Sequence, residues 1–112
     1  MKKIEAIVRP EKLDEIKDAL IKAGVGGLTI SQVFGAGRQK GHKEFYRGSE
    51  VEINLLQKIK IEIVCSNNAV ERIVSTIVGC SRTGEIGDGK IFVSDVSDVI
   101  RIRTGESGDD AV

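Results

Sequence analysis

Between residues 57 and 65 every second side chain is apolar: Ile59, Ile61, Ile63 and Cys65 fall on one face, Lys58, Lys60, Glu62 and Val64 on the other. Strand side chains alternate across a sheet, so this rhythm specifies a strand with one core face and one largely charged face. Residues 2–9 repeat it, with Ile4, Ala6 and Val8 opposed to Lys3, Glu5 and Arg9. A helical spacing follows each strand. Pro10 stops the first and suits a helix start; Leu13, Ile16, Leu20 and Ile21 then mark a helix from Glu11 to Ala23, which Gly24 is placed to end. After the other strand, Asn67 or Asn68 is positioned to cap a helix carrying Val70, Ile73, Val74, Ile77 and Val78. Residues 28–34 (LTISQVF) and 90–96 supply two more strands, and 99–103 extend the last in this reading. The order is βαββαβ with two right-handed crossovers. That is the ferredoxin-like plan, an α+β fold with both helices on one face of an antiparallel sheet. The helical stripes are core and carry no chemistry.

The chain has 112 residues, enough for one domain with a modest core. Lys plus Arg and Asp plus Glu stand at 17 each, so net charge argues for neither nucleic acid nor membrane. MKKIEAIVRP lacks the apolar stretch of a signal peptide, and no apolar run could span a bilayer, so a cytoplasmic protein is expected. Cys65 and Cys80 form no CxxC pair and read as reduced structural cysteines. Small domains often oligomerise to add buried area, which makes a homo-oligomer plausible.

Chemistry concentrates in TGEIGDGKIFVSDVSDVIRIRTGE, residues 83–106. Gly84, Gly87 and Gly89 run straight into Lys90, and Arg101 and Arg103 alternate in the strand expected to follow. Glycines can turn successive N–H groups inward as an anion nest; Lys90 adds a point charge and same-face arginines add forked donors. A polyphosphate site is one reading, and an ordinary glycine turn with a solvated lysine is the other. Gly84 to Lys90 matches the first seven positions of G-x-x-x-x-G-K-[ST], but Ile91 stands where the magnesium-binding hydroxyl belongs, and a strand follows instead of a helix. A P-loop NTPase is therefore rejected.

The second unusual segment is the long connection from Gly35 to Leu56, GAGRQKGHKEFYRGSEVEINLL, where a hairpin needs only a few residues. Arg38, Lys40, Lys43 and Arg47 surround Phe45 and Tyr46, which favours an arm that contacts a partner over a merely solvated loop. Gly35, Gly37 and Gly41 do not form a dinucleotide fingerprint, because the third glycine would fall at Lys40 and no helix follows. His42 is the single histidine and has no ligand or base pattern around it.

GAGRQKGHKEFYRGSE at 35–50, KIKIEIV at 58–64, TGEIGDGKIFV at 83–93 and VIRIRTGE at 99–106 closely resemble the PII nitrogen-signalling proteins, and the likeness runs through the whole chain. The resemblance implies a non-enzymatic homotrimer that binds ATP or ADP between subunits, with 2-oxoglutarate and Mg²⁺ beside the ATP. On this chain it implies that Gly87, Asp88, Gly89 and Lys90 hold phosphates from one subunit and that Arg101 and Arg103 reach them from the neighbour. Gly37 and Arg38 would approach the nucleotide, and Ile7, Thr29 and Val64 would line its pocket. Gln39 would help to coordinate Mg²⁺, with ligand oxygens completing the shell. Lys58, with the backbone around Gly37, Gly41 and Gly87, would hold 2-oxoglutarate. A T-loop at about 37–55 would dock onto an ammonium transporter, glutamine synthetase regulators or a sensor kinase, with Arg47 and Tyr46 at its tip and a tail from about 104 to 112 closing the chain. No direct nucleic-acid contact is implied, and a membrane would be met only through a transporter.

One departure stands out. Relatives regulated by uridylylation carry tyrosine where this chain has Val51, which lacks a hydroxyl, so that modification is excluded here. Ser49 matches a serine that some cyanobacterial relatives phosphorylate. A phosphatase on the same fold would need a base near the phosphates, and Asp88, with Glu85 nearby, is the obvious carboxylate. An RNA-recognition domain stacks bases on central-strand aromatics, and KIKIEIVC has none; Phe92 alone is offered by the fourth strand.

Overall fold

The computed structural model describes residues 1–38 and 53–112. Four strands, β1 (Lys2–Val8), β2 (Thr29–Arg38), β3 (Ile53–Cys65) and β4 (Gly89–Asp95), form one antiparallel sheet in the order β2-β3-β1-β4. Two helices, α1 (Leu13–Lys22) and α2 (Val70–Ser81), connect β1 to β2 and β3 to β4. This is the expected ferredoxin-like arrangement. The alternation sorts as anticipated: Ile4, Ala6, Val8, Ile59, Ile61, Ile63 and Cys65 are buried, and they meet Ile16, Leu20, Ile73 and Ile77 from the helices. Both cysteines are free; Cys65 is buried, and desolvation pushes its thiol up and keeps it protonated.

Several expectations need correction. Ile21 is not core: it is 59% exposed, because Ile16 and Leu20 already fill the face that α1 turns to the sheet. The first helical segment starts at Pro10 as expected, but the second lacks its expected cap. Pro10–Lys12 and Asn67–Ala69 form single 3₁₀ turns that lead into α1 and α2, and neither Asn67 nor Asn68 caps; Asn68 instead accepts a 2.6 Å bond from the Ser66 hydroxyl. Gly24 does end α1. At φ +91 it lets its N–H reach the Ile21 carbonyl and that of Val25 reach Leu20, the paired bonds of a Schellman close.

The long connection is shorter than expected. Gly35–Arg38 pair with Ile53–Leu56, so the hairpin ladder continues well past the sheet body and only 39–52 lie outside the described residues. Residues 99–103 do not extend β4. Ile100 makes one isolated bridge to Ser107, and the chain turns between Arg101 and Gly105, whose N–H donates to the Arg101 carbonyl at 2.8 Å. The alternation of Ile and Arg mimics a strand, but Gly105 at φ +74 and the Thr104 hydroxyl, which accepts from the Glu106 N–H, favour a turn. Arg101 and Arg103 are thus not neighbours on one strand face.

Candidate functional site

The 83–89 loop is built around one carboxylate and one forced glycine. Asp88 accepts hydrogen bonds from the Thr83 hydroxyl, from the Thr83 N–H at 2.8 Å and from the Gly84 N–H at 2.9 Å; Arg9 Nε lies 3.4 Å away. These donors, the Thr83 hydroxyl foremost, hold the Asp88 carboxyl far below the usual carboxylate range. Its lone pairs are engaged by the loop, so Asp88 is a poor candidate for a base; it shapes the loop and lines a cleft of about 280 Å³ with Ile7, Gly89 and Lys90. Gly84, Gly87 and Gly89 all take positive φ (+87, +101 and +109). At Gly89 no other residue fits: β1 runs so close that an added Cβ would lie 1.8 Å from the Ile7 carbonyl oxygen.

Two cations fasten the loop from the sheet side. Lys58 Nζ donates to the Gly87 carbonyl at 2.7 Å, and Arg9 Nη2 donates to the Ile86 carbonyl at 3.0 Å. Both flank Gly87, where an added Cβ would sit 3.4 Å from Arg9 Nη2 and 3.6 Å from Lys58 Nζ. Arg9 was missed in the sequence, where it read only as the polar end of β1. The signal was available in principle: antiparallel pairing of β1 with β4 sets Val8 opposite Gly89, which delivers Arg9 to the loop.

A cleft of about 400 Å³ opens here, lined by Ile7, Gly35, Lys58, Gly87, Gly89 and Lys90 among others. It unites Gly87, Gly89 and Lys90, assigned to phosphates, with Lys58, assigned to 2-oxoglutarate. Thr29, Val64 and Arg101 lie elsewhere, in a second cleft of about 820 Å³ that also includes Glu62 and the tail residues Ala111 and Val112. The two clefts share no lining residue. β4 and β2 are opposite edges of the sheet, three strand spacings or ~14 Å apart. Between them stands a lattice of ion pairs: Lys3 with Glu5 (2.9 Å) and Glu62 (3.4 Å), and Lys60 with Glu62 (3.1 Å) and Glu5 (3.9 Å). The Lys60 hydrogen bond holds Glu62 below its ordinary value. In one copy of the chain the two groups of predicted residues therefore line separate clefts.

Arg103 is exposed in the 101–105 turn and lines neither cleft. Among the described residues, neither Arg103 nor Lys90 makes a salt bridge. Gly37 and Arg38 pair with Asn54 and Ile53 at the far end of β2. Gln39, Gly41, Tyr46, Arg47, Ser49 and Val51 lie outside the described residues. Those that are described contain no group of His, Cys, Asp and Glu that could hold a metal, and no helix long and apolar enough to cross a membrane.

Fold and site define a small βαββαβ domain with a cation-flanked, glycine-built cleft whose Asp88 carboxylate is tied to its own loop. The profile of the family described as nitrogen regulatory protein P-II matches residues 1–106. A nitrogen regulatory protein P-II of Nostoc punctiforme is 60% identical over 112 residues, all of both chains, and one of Synechocystis is 58% identical over the same span. Among solved structures, B. subtilis GlnK superposes with a TM-score of 0.85 at 45% identity, covering 99% of this chain and 97% of that one. The B. subtilis GlnK–ATP complex superposes at 0.83 with 40% identity, covering 99% and 96%. The chain belongs to the P-II family of nitrogen regulatory proteins, which are signalling regulators and not enzymes.

Proposed function

We propose that this chain is a cytoplasmic sensor that binds ATP or ADP in clefts assembled between the copies of a homotrimer, takes up 2-oxoglutarate with Mg²⁺ beside ATP, and reports occupancy through its T-loop. The observation that carries this reading is the division of the assigned residues between two clefts with no residue in common. Each is half a site: Ile7, Gly87, Gly89 and Lys90 in one, Thr29, Val64 and Arg101 in the other. A head-to-tail contact between copies would join them, and such contacts close into rings when the rotation permits. The B. subtilis complex with ATP supports the ligand.

The residues present fit these ligands. Positive-φ glycines and Lys90 suit a polyphosphate. Lys58 and Arg9, already donating to carbonyls at 86 and 87, suit a dicarboxylate at the same loop. The Asp88 carboxylate braces the loop, which leaves its backbone, beside Gly87 and Gly89, to meet phosphate. No lining residue of the cleft at Lys58 is acidic, so Mg²⁺ would rely on Gln39 and on ligand oxygens. When bound, the metal would bridge phosphate and oxo acid, and each ligand would then strengthen the other equally. Lys58 and Gly35 lie on the strands that run out to residues 38 and 53, so occupancy can bias T-loop conformers through differential contacts. The T-loop would then engage an ammonium transporter, a glutamine synthetase regulator or a sensor kinase, with Arg47 and Tyr46 in contact and Ser49 open to phosphorylation.

Calorimetry with ATP, alone and with 2-oxoglutarate and Mg²⁺, tests the reading, together with sedimentation of the same samples. The expected result is micromolar or tighter binding, tightened by the oxo acid, on a trimer. Absence of heat under all conditions, or a monomer that binds as well as the assembly, would overturn it.

A further inference from the structure

We propose that Glu106 is a positioning residue for Arg101, holding its guanidinium where an incoming polyphosphate meets it; the inference rests on the nucleotide reading above. The segment from Val99 to Gly108 is a stapled loop. The Gly108 N–H donates to the Val99 carbonyl at 3.0 Å and lies 3.1 Å from Asp98 Oδ1, which also accepts from the Val99 N–H at 2.8 Å. Inside the loop, the Arg101 N–H donates to the Glu106 carbonyl at 2.8 Å and the Gly105 N–H to the Arg101 carbonyl at 2.8 Å. These bonds fix the backbones of residues 101 and 106 side by side. Their side chains meet, with Arg101 Nη1 3.5 Å from Glu106 Oε1.

The pair is about half exposed, at 41% and 45%, so water screens it and its share of fold stability is small. Orientation is what it supplies. The contact uses one guanidinium nitrogen and leaves the rest of the fork with donors for an anion. An arginine already held in place loses less rotamer freedom when its ligand arrives. Arg103, two residues on, has no such carboxylate partner among the described residues. The two arginines are thus inequivalent: Arg101 is preset and Arg103 is not.

The test is a double-mutant cycle on the full chain, read as ATP affinity by calorimetry. Glu106→Ala should weaken binding roughly 2- to 10-fold, the range expected for ordering one long side chain. Glu106→Gln, which keeps the acceptor oxygen, should recover most of that loss. In an Arg101→Ala background, Glu106→Ala should change nothing further. Unchanged or tighter binding by Glu106→Ala overturns the proposal, as does an equal loss in the Arg101→Ala background, which would place the effect in the loop fold and not in the arginine. Should Arg101→Ala alone bind ATP as the native chain does, the underlying nucleotide role of Arg101 falls, and the positioning role falls with it. The first pair of results is distinct from the last, so the two ideas fail separately.

Discussion

Replacing Gly89 by alanine should damage this protein far more than the same change at Gly84, although both glycines sit in one loop at positive φ. At Gly84 (φ +87) an added methyl meets nothing within 4 Å. The cost is then only the left-handed backbone, about 1–2 kcal/mol for a residue with a Cβ. At Gly89 (φ +109) the same backbone cost applies, and the methyl would also stand 1.8 Å from the Ile7 carbonyl oxygen and 2.9 Å from its carbon. Those are backbone atoms of a central strand and cannot swing aside. Relief requires β4 to part from β1 where Val8 pairs with Gly89, which forfeits at least one ladder bond at about 1 kcal/mol and loosens the packing beside Val8. With about 1–2 kcal/mol for the overpacking against β1, the total is about 3–5 kcal/mol, about 2–3 kcal/mol beyond Gly84→Ala. Urea unfolding of the two variants measures the difference directly, provided the slopes agree. Equal destabilisation within about 0.5 kcal/mol would refute the argument, because it would show that β1 does not press on the loop.

Other expectations are simpler to state. Asp88→Asn should flatten the acid limb of the stability profile. The folded-state pKa of Asp88 is depressed, so its carboxylate stabilises the fold above the ordinary carboxylate range and that contribution is lost as pH falls below about 4, where the unfolded chain takes up the proton first; an unaltered acid limb would show that Thr83 and Gly84 do not hold the charge. Ile77→Ala, at a fully buried position, should cost about 2–5 kcal/mol, while Ile21→Ala, at 59% exposure, should cost under about 0.5 kcal/mol; denaturant midpoints settle both. Lys90→Ala should weaken ATP binding by about 1.5–3 kcal/mol, the loss of a charge-assisted hydrogen bond, with the fold intact by circular dichroism.

Period carried most of the fold. Alternation at Ile4–Val8 and Ile59–Cys65, and helical spacing through Ile16, Leu20, Ile73 and Ile77, placed every one of those side chains in the core. Where the pattern failed, a second effect competed with it. Ile21 continues an apolar spacing that α1 cannot use, since a helix resting on a sheet buries a narrow stripe. The run VIRIR alternates like a strand, yet turn chemistry at Thr104 and Gly105 reverses the chain. Gly35–Arg38 and Ile53–Leu56 read as loop because glycines and polar residues dominate them, but their backbones still complete a ladder. The site was legible in part. Gly87, Gly89 and Lys90 could be grouped by spacing, and they do line one cleft. The inward turn of Asp88, the reach of Arg9, and the separation of Thr29, Val64 and Arg101 from that loop depend on strand order, which local spacing does not encode.

That separation bears on how defects would be inherited by an assembly. In a closed ring of head-to-tail contacts, a copy without Lys90 spoils the ligand place on one of its flanks, and a copy without Arg101 spoils the place on the other. Preparations of either defective chain alone would hold no intact place. Mixed and reassembled, they would regain some, wherever the sound flank of one meets the sound flank of the other.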